Sequence, residues 1–124
     1  MQPYRSPLNV LVVDDNFGSA FMLQELLRHL GHRSRTAGEG EEAIRAAVAE
    51  RPDAIFMDVH MPGLGGYDAA KRVKTLVPEV LVIAMSGLAI ERMKEPSGFV
   101  VFDATLPKPF RPEQVQQVLA SLFP

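Results

Sequence analysis

Apolar positions along this 124-residue chain fall into two kinds of segment. Short continuous apolar runs are typical of strands buried on both faces, whereas apolar residues three and four positions apart are typical of amphipathic helices. Residues 9–13 and 54–57 are runs of the first kind, and residues 17–30 between them have helical spacing. The pattern therefore predicts strands and helices that alternate along the chain.

Capping residues, glycines and prolines indicate where these elements begin and end. Asn16 is suited to cap the first helix, and Gly31 is suited to end it. The second helix is predicted to bury Ile44, Ala47 and Val48. The predicted elements are the strand 9–13, the helix 17–30, the strand 33–37, the helix 41–50, the strand 54–57, the helix 67–77, the strand 80–85, the helix 88–95, the strand 105–106 and a last helix that begins at Pro112.

This alternation with short loops predicts an α/β fold, a doubly wound five-stranded parallel sheet with five helices. Right-handed crossovers place the C-terminal ends of all strands at one edge of the sheet, which is where ligands bind in such folds. The length predicts a single domain, which we assign to residues 8–123, with residues 1–7 as an N-terminal tail.

Composition excludes several classes of protein. The chain has no cysteine, so it has neither a disulfide framework nor a zinc site built on thiolates. It has no apolar run of about 18 residues that could span a membrane, and residues 1–7 lack the apolar core of a signal peptide, so we expect a cytoplasmic protein. The net charge of −2 gives no basic surface for direct nucleic acid binding.

Polar residues follow the predicted strands where those strands end. Asp14 and Asp15 follow the first strand, Asp58 follows the third, and Ser86 and Lys108 follow the fourth and fifth. Three ionised carboxylates at one edge repel one another, and a hard cation such as Mg²⁺ would offset that repulsion. Asp14 and Asp15 are suited to hold the metal. Asp58 can place one carboxylate oxygen on the metal while its other oxygen attacks phosphorus. Ser86 and Lys108 could then bind phosphoryl oxygens.

These motifs resemble the response-regulator receiver domain of two-component signalling over residues 8–123. The segments that carry the resemblance are 12–16, 57–66, 84–87 and 106–110. The resemblance implies a flavodoxin-like fold with strand order 2-1-3-4-5, a cis Lys108–Pro109 peptide bond, and a signalling switch rather than an enzyme. It also implies that Asp58 accepts a phosphoryl group, in a Mg²⁺-dependent reaction, from a phosphohistidine of a sensor histidine kinase or a histidine phosphotransfer protein.

The resemblance assigns a role to each residue of the predicted site. Asp14 and Asp15 correspond to the acidic pair that holds Mg²⁺, with Asp15 favoured as the direct ligand. His60 corresponds to the residue whose backbone carbonyl binds the metal, and its side chain is expected at the solvent-facing rim. Ser86 corresponds to the switch hydroxyl, and Lys108 to the lysine that pairs with the phosphate.

Two features depart from the family pattern. Many receivers have an aromatic residue three positions before the lysine; here that position is Thr105, and Phe102 is three residues out of register. Pro96 and Gly98 interrupt the fourth helix. We hypothesise that the phosphorylation chemistry is intact without the aromatic relay, and that coupling runs through the loop after Ser86 and the fourth helix alone.

Three other classes of protein compete with this interpretation. A haloacid-dehalogenase-type phosphatase would have an Asp-x-Asp pattern after the first strand, but residues 14–16 read Asp-Asp-Asn. A nucleotide or flavin binder would need a glycine-rich phosphate-binding loop after the first strand, and the chain has no such loop at that position. A receiver-like interaction module without phosphorylation would not need the full acidic set. The sequence predicts no membrane partner and does not predict a homodimer.

Overall fold

The computed structural model of the chain describes residues 7–87 and 101–124, in which five parallel strands form one sheet. The strands are β1 (Asn9–Val13), β2 (Arg33–Ala37), β3 (Ala54–Asp58), β4 (Leu81–Ser86) and β5 (Ala104–Pro107), and the helices are α1 (Phe17–His29), α2 (Gly40–Ala49), α3 (Gly66–Leu76) and α4 (Pro112–Leu122). The order β2-β1-β3-β4-β5 confirms the predicted sheet. Four of the five predicted helices are present in the described residues, and the predicted helix 88–95 lies outside them.

The sheet has a helical layer on each face. Helices α2 and α3 pack on one face, where Ala47 and Val73 are fully buried against Ile55. Helices α1 and α4 pack on the other face, where Leu27 and Leu119 are fully buried. Since β1 and β3 lie in the middle and are covered on both sides, their continuous apolar runs are explained. None of the helices in the described ranges combines the length and apolar character that crossing a membrane requires.

The predicted apolar face of α2 is wrong at one position. Val48 is 51% exposed, whereas Ala43 and Ala47, one turn apart, are fully buried. Ile44 is only partly buried against the same core. The small side chains allow α2 to approach its neighbours closely, and a Cβ on Gly40 would lie 2.5 Å from the carbonyl oxygen of Leu64. The buried face of α2 therefore follows its smallest residues, and Val48 lies beside that line.

Both predicted ends of α1 are confirmed. The Asn16 side-chain oxygen accepts a hydrogen bond of 2.9 Å from the backbone N–H of Ser19, as an N-cap does. At the other end, Gly31 has a left-handed conformation with φ of 93°. The backbone N–H of His32 then donates to the carbonyl of Leu27 over 3.0 Å, which completes a Schellman motif.

Gly66 allows α3 to begin directly against the end of β3. A Cβ at this position would lie 2.1 Å from the carbonyl oxygen of Asp58 and 2.8 Å from Cα of Val59, which are both backbone atoms. The Gly66 N–H also donates to the carbonyl of Val59 over 3.2 Å. Only glycine can therefore occupy this position without displacing the end of β3.

We expect Gly66→Ala to lower the free energy of unfolding by about 1–3 kcal/mol, as overpacking does in a tightly packed region. Alanine favours a helix over glycine, so the loss must come from the clash. Gly38→Ala is the matched control, because a Cβ on Gly38 meets no atom within 4 Å. Urea denaturation of both variants tests this, and equal stability of the two would contradict it.

His32 is buried in its neutral form beside the start of β1. Its Nδ1 accepts a hydrogen bond of 3.0 Å from the backbone N–H of Leu8. Burial lowers the pKa of His32 below its usual value. In the pH window between that lowered pKa and the unfolded-state value of about 6.5, the unfolded chain binds the extra proton. The contribution of His32 to stability is therefore complete above about pH 6.5 and is lost as the pH falls through that window.

We expect the free energy of unfolding to fall on acidification in that window by at most about 1.4 kcal/mol per pH unit through this residue. His32→Asn keeps an acceptor oxygen but does not titrate, so its stability should depend less on pH. Urea denaturation at about pH 7.5 and about pH 5.5 measures the difference, and an equal loss of stability in the wild type and in His32→Asn would refute the prediction.

Candidate functional site

The predicted site residues meet at the C-terminal edge of the sheet. Asp14 follows β1, Asp58 and Ser86 are the last residues of β3 and β4, and Lys108 follows β5. One carboxylate oxygen each from Asp14, Asp15 and Asp58 lies within 4.8 Å of the other two. Asp14 and Asp58 are buried, whereas Asp15 is exposed. The structure thus assembles the acidic cluster that the strand ends predict.

Lys108 places one ammonium group against two of these carboxylates. Its Nζ is 2.9 Å from Oδ2 of Asp14 and 3.6 Å from Oδ2 of Asp58. The Asp14 and Asp58 side chains are 2% and 8% exposed, so water screens these interactions little. The Lys108 backbone N–H donates to the carbonyl of Ser86 over 2.9 Å, which holds β5 and β4 in register beyond their last pair. The Lys108–Pro109 bond is cis, as expected.

Backbone N–H groups orient the two buried carboxylates. Oδ1 of Asp14 accepts a hydrogen bond of 2.9 Å from the N–H of Asn16. Oδ1 of Asp58 accepts one of 3.1 Å from the N–H of His60. In both residues the second oxygen, Oδ2, is the one that faces Lys108. Each buried carboxylate is therefore fixed by the start of the segment that follows it.

The ionised form of Asp58 is disfavoured where it stands. Burial is the largest cause and raises the pKa of Asp58, while the His60 N–H and the Lys108 ammonium act in the opposite direction. The charge of Asp14 and a hydrogen bond with its side chain raise the pKa of Asp58 further. The Lys108 ammonium therefore offsets only part of what disfavours the ionised form of Asp58. Three carboxylates with only oxygen donors fit a hard divalent cation such as Mg²⁺.

His60 takes part in the site through its ring as well as its backbone. The residue is exposed at the rim, as predicted. Its Nε2 nevertheless lies 3.2 Å from Oγ of Ser86, and the two atoms form a hydrogen bond. The spacing of 26 positions between these residues gave no signal of this contact. The role of the His60 carbonyl as a metal ligand stays a prediction.

Sequence reasoning also missed an apolar cleft beside the acidic cluster. The cleft has a volume of about 550 Å³ and lies between α1 and the segment that joins β5 to α4. Met22 and Phe110 line it, and Asp14 and Lys108 stand at its wall. Phe17, at the start of α1, is 83% exposed, and Met22 is 74% exposed although it lines the cleft. The sequence did contain an indication of this cleft, because α1 has large apolar residues in addition to those that face the core.

The departures near β5 have a structural context. Thr105 is exposed on β5, in register with Ala84 of β4. Phe102 instead packs edge-on against Tyr67 of α3, with ring centroids 6.0 Å apart and planes at 71°. Phe102 thus has its own partner on α3 and does not replace an aromatic residue at position 105. The hypothesis that coupling runs through the fourth helix concerns residues outside the described part of the chain.

Comparison with known proteins identifies the family of the chain. The sequence profile described as response regulator receiver domain matches residues 10–120. The chain belongs to this family. It is a receiver domain of two-component signalling, the class of domain that acts as a phosphoacceptor.

Relatives of this receiver domain occur alone and within longer proteins. It is 36% identical over 112 residues to the autoinducer 1 sensor kinase/phosphatase LuxN of Vibrio harveyi, covering 90% of this chain and 13% of that protein. It is 28% identical over 119 residues to the sporulation initiation phosphotransferase F of Bacillus subtilis, covering 93% of each. The receiver domain of the sensor histidine kinase PA1611 of Pseudomonas aeruginosa, solved with a magnesium ion in its active site cleft, is similar with 29% identity and a TM-score of 0.81. That similarity covers 94% of this chain and 97% of that domain.

We expect Asp58→Asn to raise the free energy of unfolding of this receiver domain by on the order of 1 kcal/mol at neutral pH without divalent cations. The substitution removes a buried charge beside Asp14 and keeps an acceptor oxygen for the His60 N–H. Added Mg²⁺ should stabilise the wild type more than the variant, because ligand binding to the folded state adds to stability. Urea denaturation with and without Mg²⁺ measures both effects.

Exposed Glu25, changed to Gln, is the control for loss of one negative charge, and its effect should stay within about 0.5 kcal/mol. A variant Asp58→Asn that is less stable than the wild type without divalent cations would contradict the prediction. Equal stabilisation of the two proteins by Mg²⁺ would contradict it as well.

Proposed function

We propose that this receiver domain accepts a phosphoryl group on Asp58, in a Mg²⁺-dependent reaction, from a phosphohistidine of a sensor histidine kinase or a histidine phosphotransfer protein. The observation that carries the proposal is the position of Asp58 Oδ2, which lies 3.6 Å from the Lys108 ammonium within the cluster of three carboxylates. A carboxylate nucleophile, a fixed cation and an acidic metal site together are suited to phosphoryl transfer.

The transfer exchanges one bond to phosphorus for another. An oxygen of the Asp58 carboxylate attacks phosphorus and forms the acyl phosphate. The bond between phosphorus and the imidazole nitrogen of the donor breaks, and its electron pair stays on the imidazole. No further co-reactant is needed, because an acyl phosphate and a phosphohistidine are both high-energy phosphoryl carriers. The protein has to hold the reacting groups in line and to balance charge.

Each residue of the site has a task in this proposal. Lys108 carries three N–H donors, so it can keep its bond with Asp14 and also pair with a phosphoryl oxygen. The Ser86 hydroxyl donates to a second phosphoryl oxygen. Asp15, Asp58 and the His60 carbonyl would hold the metal, with Asp14 beside them. Mg²⁺ bound there would reduce the repulsion between the anionic nucleophile and the anionic phosphoryl group.

The hydrogen bonds of the acidic pair support Asp15 as the direct ligand. Both oxygens of Asp14 already have a donor, the Asn16 N–H on Oδ1 and the Lys108 ammonium on Oδ2. Asp15 is exposed, and within the described ranges we see no hydrogen bond to its carboxylate. The Asp15 carboxylate can therefore turn both of its oxygens to a cation, whereas each oxygen of Asp14 already accepts one hydrogen bond.

The exposed apolar side of α1 supports a protein as the phosphodonor. Exposed apolar patches on small proteins commonly mark interaction sites. Phe17, Phe21 and Met22 are exposed on α1, and Met22 also lines the cleft that reaches Asp14 and Lys108. A donor that covers this patch would bring its phosphohistidine to the acidic cluster. Two relatives of the chain, a sensor kinase/phosphatase and a sporulation phosphotransferase, agree with such a partner.

We expect incubation with acetyl phosphate and Mg²⁺ to add one phosphoryl group to the wild-type chain, as measured by intact mass spectrometry. Asp58→Asn should gain none, because its side chain cannot form an acyl phosphate. Lys108→Ala should be phosphorylated about 10²-fold more slowly, a loss typical of removing one electrostatic contact to the transferred group. Omitting Mg²⁺ should also slow the reaction.

Other outcomes would favour the competing classes of protein. No mass increase of the wild type with saturating donor and Mg²⁺ would indicate an interaction module that is not phosphorylated. Steady release of phosphate from unrelated phosphate monoesters would indicate a phosphatase. A phosphoryl group on Asp58→Asn would show that another residue is the acceptor.

A further inference from the structure

His60 touches both groups that the proposed reaction uses on this side of the pocket. Its backbone N–H donates to Oδ1 of Asp58 over 3.1 Å. Its ring Nε2 lies 3.2 Å from Oγ of Ser86. The residue follows β3 directly, so its backbone position is tied to the nucleophile while its ring is tied to the hydroxyl. A change in the position of Asp58 or of the Ser86 hydroxyl therefore alters a hydrogen bond of His60.

The backbone of Ser86 is held on both sides. Its carbonyl accepts from the Lys108 N–H over 2.9 Å, and the residue is in register with Pro107 of β5. The preceding residue, Met85, accepts the N–H of Val59 over 3.0 Å. The Ser86 hydroxyl can therefore change partner only by rotating about its own side-chain bond, whereas the exposed ring of His60 can move into solvent.

We propose that the His60 imidazole is a latch on the Ser86 hydroxyl, whose proton it accepts at Nε2 while Asp58 is unphosphorylated. The proposal rests on the proposed function, because the competitor for that proton is a phosphoryl oxygen on Asp58. A serine hydroxyl has a single proton, so it cannot donate fully to both acceptors. His60 is thus a positioning residue that stabilises the unphosphorylated arrangement of Ser86.

The competition has a definite direction and size. A phosphoryl oxygen is charged and accepts a stronger hydrogen bond than a neutral imidazole nitrogen, so phosphorylation opens the latch. The latch nevertheless has to be broken first. The net contribution of a neutral hydrogen bond corresponds to a factor of about two to ten in an equilibrium constant. We expect the bond between His60 and Ser86 to disfavour the phosphorylated arrangement by that factor.

Beryllofluoride, a phosphoryl mimic, tests the latch by its affinity in the presence of Mg²⁺. The chain has no tryptophan to report binding, so amide NMR shifts follow the titration. His60→Phe keeps a ring of similar size without an acceptor and should bind beryllofluoride about two- to tenfold more tightly than the wild type. His60→Gln offers an amide oxygen as an acceptor and should stay close to the wild type.

A double-mutant cycle shows whether the effect runs through Ser86. In a Ser86→Ala background the latch has nothing to hold, so adding His60→Phe should leave the beryllofluoride affinity unchanged. The affinity for Mg²⁺ alone is the control, because the metal ligand assigned to this residue is its backbone carbonyl, which every variant keeps.

The ¹⁵N shift of the imidazole gives a readout that does not depend on any phosphoryl group. Ser86→Ala should change the Nε2 shift of His60 in the protein without beryllofluoride, and beryllofluoride added to the wild type should move it in the same direction. Exposed His29 is the internal control and should not respond. An Nε2 shift of His60 that ignores Ser86→Ala would overturn the latch.

The outcomes separate this inference from the proposed function. Wild-type binding of beryllofluoride with equal or weaker binding by His60→Phe overturns the latch alone, and weaker binding would mean that Nε2–H donates to the hydroxyl and helps it. A gain that persists in Ser86→Ala overturns the latch alone as well. Failure of the wild type to bind beryllofluoride and to accept a phosphoryl group overturns both proposals, because the competitor for the hydroxyl is then absent.

Discussion

The site depends on the ammonium group of Lys108, which faces two buried carboxylates. Lys108 lies between Asp14 and Asp58, with Asp15 at the exposed side of the cluster. Burial makes the ionised form of Asp58 costly, and one lysine does not remove that cost. The pocket therefore favours a further cation. A pocket that has both cations can in turn receive an anionic phosphoryl group, which the carboxylates alone would repel.

The residues that orient the two buried carboxylates also connect the strands to the helices that follow them. Asn16 orients Asp14 with its backbone N–H and caps α1 with its side chain. The N–H of His60 orients Asp58, and Gly66 lets α3 begin against the carbonyl of that residue. The geometry of the buried carboxylates is thus part of how β1 and β3 end.

The sequence pattern was sufficient to predict the sheet and the acidic cluster. It was not sufficient to predict the contacts that loops make or the exact buried face of a helix. Apolar runs followed by polar residues mark strand ends, and parallel topology then brings Asp14, Asp58 and Lys108 together. The ring of His60 reaches Ser86 only because of the path of the loop after β3, which no residue spacing encodes. Val48 was misassigned because the packing of α2 follows small residues, and periodicity alone ranks a larger apolar residue first.

The energies involved decide which contacts can switch the domain. Moving a two-state equilibrium from one per cent to ninety-nine per cent of one state needs about 5.5 kcal/mol of differential binding. A neutral hydrogen bond contributes about 0.5–1.5 kcal/mol and one to a charged group about 1.5–3 kcal/mol. Exchanging His60 for a phosphoryl oxygen as the partner of Ser86 therefore supplies only a part of what a full switch requires. Lys108 and a metal on the carboxylates are suited to supply a larger part, because both would interact with the charge of the phosphoryl group. The contact between His60 and Ser86 is accordingly suited to adjust the balance between the two states, and the charges around Asp58 are suited to drive it.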